Sequence, residues 1–509
     1  MKVQGDDLPS NRAWLAWPEV LNVCQNSSNR EALITPHKRF TYTQMAERVF
    51  QFQRLLTSLG LKAGDRLVTL LGNDWVYPVT YWAALGSGII FVPLNTRLVK
   101  AEIQPILDEV EPRLIISDER YEAQVPDNWR HALLLQTGWT SQSEHLSSDI
   151  HPPFPVEPLD VAVLLYTSGT TGKPKGVMLT HQNIAVQFYQ ASRVLVPMSP
   201  ADRVVSLYPL FHSAQHVFLQ APLTIGATSV IDEFHPDRVA PLLSNEHITI
   251  FFGVPAMYHI LLQNPKFSAE HFPHIRLLTY GASIMPMETI LTLRQRFPEA
   301  EIRNLYGQTE NSPAVTGLDD RYALSKPGSV GRPLPGMTVS IFDDNNHEVA
   351  AGVVGEIVTQ GINLMKGYFK NEDAFKEVVR DNWYHTGDLG YLDEEGFLYV
   401  VDRKKDMIIR GGQNIYPAEI ENVLYTHTDI LECAVIGIAH PILGEEVAAI
   451  VVRRPQSTVT EEMIIQYTRE RIAAYKVPVR VRFVDELPHN ASGKILKREL
   501  RELAQQGAL

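Results

Sequence analysis

Eleven consecutive residues, Tyr166-Thr167-Ser168-Gly169-Thr170-Thr171-Gly172-Lys173-Pro174-Lys175-Gly176, hold almost nothing but hydroxyls, glycines and lysines. Such a segment adds nothing to a core. Glycines let backbone N–H groups turn inward around an anion, hydroxyls add short donors and lysines add charge, so the chemistry on offer is a grip on a polyphosphate. The bland alternative is a solvated turn between strands. The familiar nucleotide loop is a different object, because it needs Ser or Thr straight after its lysine, and here Pro174 follows Lys173. Farther along, Asn304-Leu305-Tyr306-Gly307-Gln308-Thr309-Glu310 combines an aromatic face, a flexible glycine, a hydroxyl and a carboxylate. Trp383-Tyr384-His385-Thr386-Gly387-Asp388 presents a carboxylate after a tight turn, able to accept from a pair of hydroxyls. Pro209-Leu210-Phe211-His212-Ser213-Ala214-Gln215 sets an imidazole among apolar neighbours, where a lone histidine is by default structural. Thr279-Tyr280-Gly281-Ala282-Ser283 offers small residues that let a flat ring approach the backbone, or simply ends a strand.

These segments need a frame. Residues 161–165 are an apolar run that reads as a buried strand leading into the phosphate segment, and the apolar run after Gly176 predicts a second strand rather than a helix. Upstream, residues 39–42 read as a strand, and Thr43 is placed to cap a helix with Met45, Val49, Phe52, Leu56 and Leu59 at helical spacing. Strands at 66–71, 113–117, 204–208, 228–231 and 248–252 alternate with helical or turn-rich sequence, which is α/β organisation. Residues 76–94 are uncharged, but Pro78, Gly86, Gly88 and Pro93 divide them into a buried helix (79–85) and a strand (89–92) rather than a membrane span. At the end, helix 418–424, strands 431–437 and 447–452 and helix 461–473 form an α+β cap.

In combination these motifs resemble the adenylate-forming superfamily, which includes acyl- and aryl-CoA synthetases, peptide-synthetase adenylation domains and luciferases. The resemblance runs from Phe40 to Leu500 through five ordered motifs. It implies an α/β fold: a large N-terminal domain (1–404) with two α/β sheets plus a β-rich subdomain, and a small, mobile α+β C-terminal domain (405–509) hinged at Lys405. It implies ATP, Mg²⁺ and CoA. For the nucleotide it points to Thr167, Ser168, Gly169, Thr170, Thr171, Gly172 and Lys175 at the phosphates, and to Gly281, Ala282, Ser283, Tyr306, Gly307 and Gln308 around adenine. Thr309 falls to the α-phosphate, Asp388 to the ribose, and Val400 and Arg403 to a wall and a donor. Thr167 and Glu310 are the metal residues of the resemblance, and Lys494, after Gly493, is its catalytic lysine, with Thr309 and His212 also catalytic. Gly411, Gly412, Asn414 and Lys476 fall where the family handles CoA. His212, Gln215, Gly253 and Gly281 mark the acyl pocket, with His212 as its gate.

No aspartate lies between Leu210 and Val217 to pair an α-ammonium, so a free amino acid is disfavoured as substrate. Phe211-His212-Ser213-Ala214 and Phe251-Phe252-Gly253-Val254-Pro255 look like the medium- or long-chain fatty acyl-CoA synthetase branch, while polar Gln215 departs from it. An aryl-acid CoA ligase is the alternative, followed by a fatty acyl-AMP ligase that passes its acyl group to a carrier protein. The net charge of -12 argues against a nucleic-acid partner. Eleven Lys/Arg against seven Asp/Glu from Arg453 onward make a locally basic tail, suited to a polyanion such as CoA or simply solvated. Cys24 and Cys433 are too few for a zinc site or a disulfide framework, and no secretory leader is seen, so a cytoplasmic protein is expected, with a homodimer left open.

Overall fold

The computed structural model describes residues 1–10, 12–150, 154–167, 174–283, 285–489 and 495–506. Ser168, Gly169, Thr170, Thr171, Gly172 and Lys494 therefore lie outside the described residues.

Strands among the described residues form three sheets. The first runs Gly367–Tyr368, Lys175–Thr180, Val161–Thr167, Ile90–Pro93, Arg66–Leu70, Leu114–Ser117, Leu133–Leu135. Its inner strands are parallel, and Val161–Thr167 and Lys175–Thr180 close it as an antiparallel pair, with Thr167 opposite Lys175. The phosphate segment is thus the connection between two paired strands, as its flanking apolar runs require. The uncharged stretch becomes helix Val76–Gly86, buried at every residue, and strand Ile90–Pro93. Among the described residues no helix is long and apolar enough to cross a membrane.

The second sheet has a parallel centre of Thr228–Ile231, Arg203–Ser206, Ile250–Gly253, Leu277–Gly281 and Glu301–Gly307. Beyond it the pairing turns antiparallel at Ala314–Leu318 and Ser329–Pro333. Ser329–Pro333 also pairs with Leu398–Arg403, so the β-rich part expected as a separate unit is hydrogen-bonded into this sheet. The consequence is a continuous path from Gly281 to Asp388.

The third sheet is built only from residues after Arg403: Gln413–Ile415, Ile408–Arg410, Gly444–Arg453, Ile430–His440, with Arg480–Val484 beside Gly444–Arg453. It has its own cores, around Ile420, Val435 and Val451 on one face and Ile436, Ile450 and Leu500 on the other. The strand Arg480–Val484 and the helix Lys497–Gln505 complete the cap predicted from fewer elements.

One local expectation shifts. The helix starts at Tyr42 and is capped by Thr41, whose hydroxyl accepts from Gln44 N while Gln44 returns a bond to Thr41 N. That reciprocal box satisfies two free donors, which Thr43, already inside the helix, cannot do. Met45, Val49, Phe52 and Leu56 are buried as their spacing predicts, whereas Leu59 falls at the cap and is 38% exposed.

Candidate active site

The side expected to take the ribose is a knot of side chains from three strands. Asp388, on Trp383–Leu392, lies opposite Arg403 on Leu398–Arg403. Its Oδ2 accepts from Tyr306 OH (2.8 Å) and Gln308 Nε2 (2.6 Å), and its Oδ1 pairs with Arg403 Nε at 3.1 Å. At 4% exposure, the carboxylate has its rotamer set by these donors. Gln308 is held in turn, donating also to Thr386 O (3.0 Å) and accepting from Tyr384 OH (2.8 Å). Burial, then the neighbouring Asp388 charge, pushes the Tyr306 phenol well above its usual range, so it donates. Val400 pairs with Gly390 and packs on the main core.

Next to this knot, Leu277–Gly281 and Glu301–Gly307 run parallel with Gly281 opposite Leu305. A Cβ on Gly281 would sit 2.6 Å from Leu305 O, so glycine is required by the close approach of the strands. Ala282 follows with φ +68° and is exposed with Ser283 at the strand end. A non-glycine residue there costs about 1–2 kcal/mol, the kind of strain that collects at working sites.

The side expected to take the acid is set by backbone and packing. Asn73 donates to Tyr208 O (2.8 Å) and Asp232 O (3.0 Å) and accepts from Leu210 N (3.2 Å), which pins the segment entering Pro209–His212. His212 Nδ1 accepts from Ala214 N (3.2 Å), which places the ring proton on Nε2. Burial lowers its pKa to about 4, so the imidazole is neutral near pH 7. In the core behind this segment Phe218 stacks on Phe252 at 4.3 Å and Tyr208 meets Phe252 edge-on at 5.8 Å. Gly253 ends the buried strand Ile250–Gly253, where a Cβ would lie 3.0 Å from the Phe251 and Tyr258 rings. Gln215, expected as a polar pocket residue, is fully buried and turned away: its amide donates to Tyr77 OH (2.7 Å) and accepts from Gln220 Nε2 (3.4 Å). The polar character that set this motif apart is spent inside the core.

Between the two sides, Thr309 Oγ1 is 3.5 Å from Ser213 Oγ, joining the acid segment to the segment that carries Glu310. Burial pushes the Glu310 carboxyl above the usual carboxylate range, and Tyr368 OH lies 3.1 Å from its Oε1. Among the described residues no cluster of three or more His, Cys, Asp or Glu could hold a metal alone. A half-buried carboxylate with the Thr167 hydroxyl at the mouth of the phosphate segment fits a hard cation that keeps phosphate oxygens in its shell, as Mg²⁺ does.

The remaining expected residues lie on the third sheet. Gly411 (φ +57°) and Gly412 (φ +82°) are the two turn residues of the hairpin Ile408–Arg410/Gln413–Ile415, a conformation glycine adopts without strain. Asn414 is exposed. Lys476 Nζ sits 2.6 and 2.7 Å from the two oxygens of Glu419, so its charge is already paired. Lys497 with Glu421 and Arg501 with Asp406 are likewise paired, and the basic tail is less of a free cationic surface than its composition predicts. Lys405 is exposed between Arg403, where the second sheet ends, and Ile408, where the third begins. Sequence reasoning missed Asn73, Tyr368 and Tyr384, each of which acts through a partner distant in the chain.

Two family models match this chain, one described as AMP-binding enzyme over residues 21–369 and one as AMP-binding enzyme C-terminal domain over residues 419–494. A feruloyl-CoA synthase of an Amycolatopsis species is 36% identical over 487 residues, covering 93% of this chain and 97% of its own. An indoleacetate–CoA ligase of Aromatoleum aromaticum is 35% identical over 488 residues, covering 93% and 95%. Among solved structures, ATP-bound MatB of Rhodopseudomonas palustris matches with a TM-score of 0.90 at 28% identity, over 98% of this chain and 100% of that one.

Proposed function

The chain belongs to the AMP-binding enzyme family, and from that premise we propose that it is an AMP-forming acid–CoA ligase acting on an aromatic carboxylic acid. The observation that carries the reading is near-full-length similarity to a feruloyl-CoA synthase and an indoleacetate–CoA ligase. The fatty-acid preference expected from the segments around His212 and Gly253 gives way to it.

In the first half-reaction the acid's carboxylate attacks the α-phosphorus of ATP, and pyrophosphate leaves. Two anions must be brought together, so positioning and electrostatics supply most of the catalysis. Asp388 takes the ribose hydroxyls, with Arg403 as a further donor, while Gly281, Ala282, Ser283, Tyr306, Gly307 and Val400 bound the base. Thr309 donates to the α-phosphate. Thr167, Lys175 and the segment 168–172 hold the leaving phosphates. Mg²⁺, when bound through Glu310 and Thr167, supplies positive charge for the pyrophosphate oxygens. Neutral His212, its proton on Nε2, closes the acid pocket without adding a charge that would compete for the carboxylate. Lys494 bridges the carboxylate and α-phosphate oxygens as charge shifts between them.

In the second half-reaction a CoA thiolate attacks the adenylate carbonyl and AMP leaves. Lys494 must vacate the site, and rotation about Lys405 would withdraw it and bring in Gly411 and Gly412, whose lack of side chains leaves room for pantetheine. Asn414 and Lys476 sit with this second surface, Lys476 exchanging Glu419 for a phosphate. The experiment is a panel of acids scored for AMP release with and without CoA. Ferulate- and arylacetate-type acids giving CoA-dependent release above octanoate and palmitate support the reading, and a preference for the alkyl acids overturns it.

A further inference from the structure

Residues 365–369 touch both charged ends of the site, the Glu310 carboxylate and the Lys175 ammonium. Met365 N donates to Glu310 O (2.8 Å), fixing the backbone that carries the carboxylate. Lys366 N donates to Met178 O (2.9 Å) and Phe369 N to Gly176 O (2.7 Å), so the short strand Gly367–Tyr368 lies antiparallel to the strand that starts at Lys175. Gly367 adopts φ +154°, with Met178 Cε 3.2 Å from where a Cβ would be, and the chain can therefore run flush against its neighbour. Tyr368, 6% exposed, then faces two charged groups at once. Its hydroxyl lies 3.1 Å from Glu310 Oε1, and Lys175 Nζ sits 5.2 Å from its ring centroid.

The two functions of this side chain are chemically separate. The hydroxyl occupies one carboxylate oxygen of Glu310, which fixes the plane of the group and leaves the other oxygen to face a ligand. The ring face attracts the ammonium and limits the rotamers of a long, flexible lysine. Glu310 comes from the turn Thr309–Asn311 between two strands of the second sheet and Lys175 from a strand of the first, so a single residue spans the distance between them.

We propose that Tyr368 is a positioning residue that holds the Glu310 carboxylate and the Lys175 ammonium at a fixed separation across the site where the pyrophosphate is held. This rests on the reading of Glu310 as the metal carboxylate and Lys175 as a phosphate donor. Tyr368→Phe removes only the hydroxyl, and Tyr368→Leu removes hydroxyl and ring. The full chain is titrated with Mn²⁺ by electron paramagnetic resonance in the presence of a non-hydrolysable ATP analogue, and analogue binding is measured by calorimetry in EDTA. CoA transfer is followed separately from supplied acyl-AMP, which contains no pyrophosphate.

Tyr368→Phe should weaken Mn²⁺ binding on the order of tenfold and leave metal-free analogue binding within about twofold. Tyr368→Leu should weaken both. Both variants should transfer from acyl-AMP at close to the wild-type rate. Unchanged Mn²⁺ affinity in Tyr368→Phe overturns the proposal, as does an equal loss of adenylation and transfer with a lowered Tm, which would mark a packing role. The metal and nucleotide titrations need no acid. Failure of the ligase reading, seen as no acid-dependent AMP release by the wild type, is therefore distinct from failure of this one.

Discussion

The side proposed for the ribose and the side proposed for the acid are built by opposite means. Around Asp388 each position is set by a side-chain hydrogen bond with a specific partner: Tyr306, Gln308 and Arg403 on the carboxylate, Tyr384 on Gln308. In the His212 segment the partners are backbone groups, with Ala214 N donating to the ring and Asn73 clamping Tyr208 O and Leu210 N, and the core behind it is packed rings, Phe218 stacked on Phe252. A polar knot tolerates few residue types and recurs as a motif. A packed pocket can be filled in many ways at equal volume, so its residues carry shape rather than a signature.

That contrast can be broken from either side. Asp388→Ala leaves the Arg403 guanidinium and the Tyr306 hydroxyl without their shared partner and removes the acceptor proposed for the ribose. We expect kcat/KM for ATP to fall on the order of 10²–10³-fold, with the KM for the acid little changed. An equal rise in both KM values would show that the two sides are not independent. Lys494→Ala should lower acid-dependent ATP–pyrophosphate exchange on the order of 10²-fold while sparing transfer from supplied acyl-AMP, measured as acyl-CoA formed. Loss of both halves together would contradict that division.

From the acid side, His212→Ala should raise the KM for the acid roughly tenfold and leave that for ATP within about twofold. A smaller effect belongs to stability. Burial holds His181 and His212 at about 4 and His216 at about 3, whereas the unfolded chain titrates near the ordinary 6.5. Between those values the unfolded state binds more protons, so stability present above about pH 6.5 is lost progressively as pH falls toward 4. Thermal melts across this window should show a falling Tm, and His216→Phe should flatten the decline. A Tm independent of pH from 6.5 to 4 would contradict neutral burial of these rings.

How much was legible in the sequence follows the same division. That Tyr306, Asp388 and Arg403 come together could be anticipated because few structural needs other than a polar ligand place donors and carboxylates at such intervals. The strands at 161–167 and 175–180 announced themselves as apolar runs flanking glycines. The capping residue moved by two positions because Thr41 and Thr43 are both good caps and only the bond from Gln44 decides between them. Gln215 misled, since a polar residue after a histidine motif says nothing about which way it points, and here it points to Tyr77. Tyr368 was invisible because its partners, Glu310 in a turn of the second sheet and Lys175 on a strand of the first, are distant from it in the chain. The acid's identity was not legible for a related reason: Phe251, Phe252 and Gly253 suit an alkyl chain and a ring equally until their neighbours are known.

The most direct test of the account uses hydrolysis-resistant acyl-adenylate analogues that share one adenosine half and differ only in the acyl group. Their affinities isolate the acid side while the Asp388 knot sees an identical partner. The account predicts that a feruloyl or indoleacetyl analogue binds at least about tenfold more tightly than an octanoyl or palmitoyl one. Equal affinities, or tighter binding of the alkyl analogues, would contradict it.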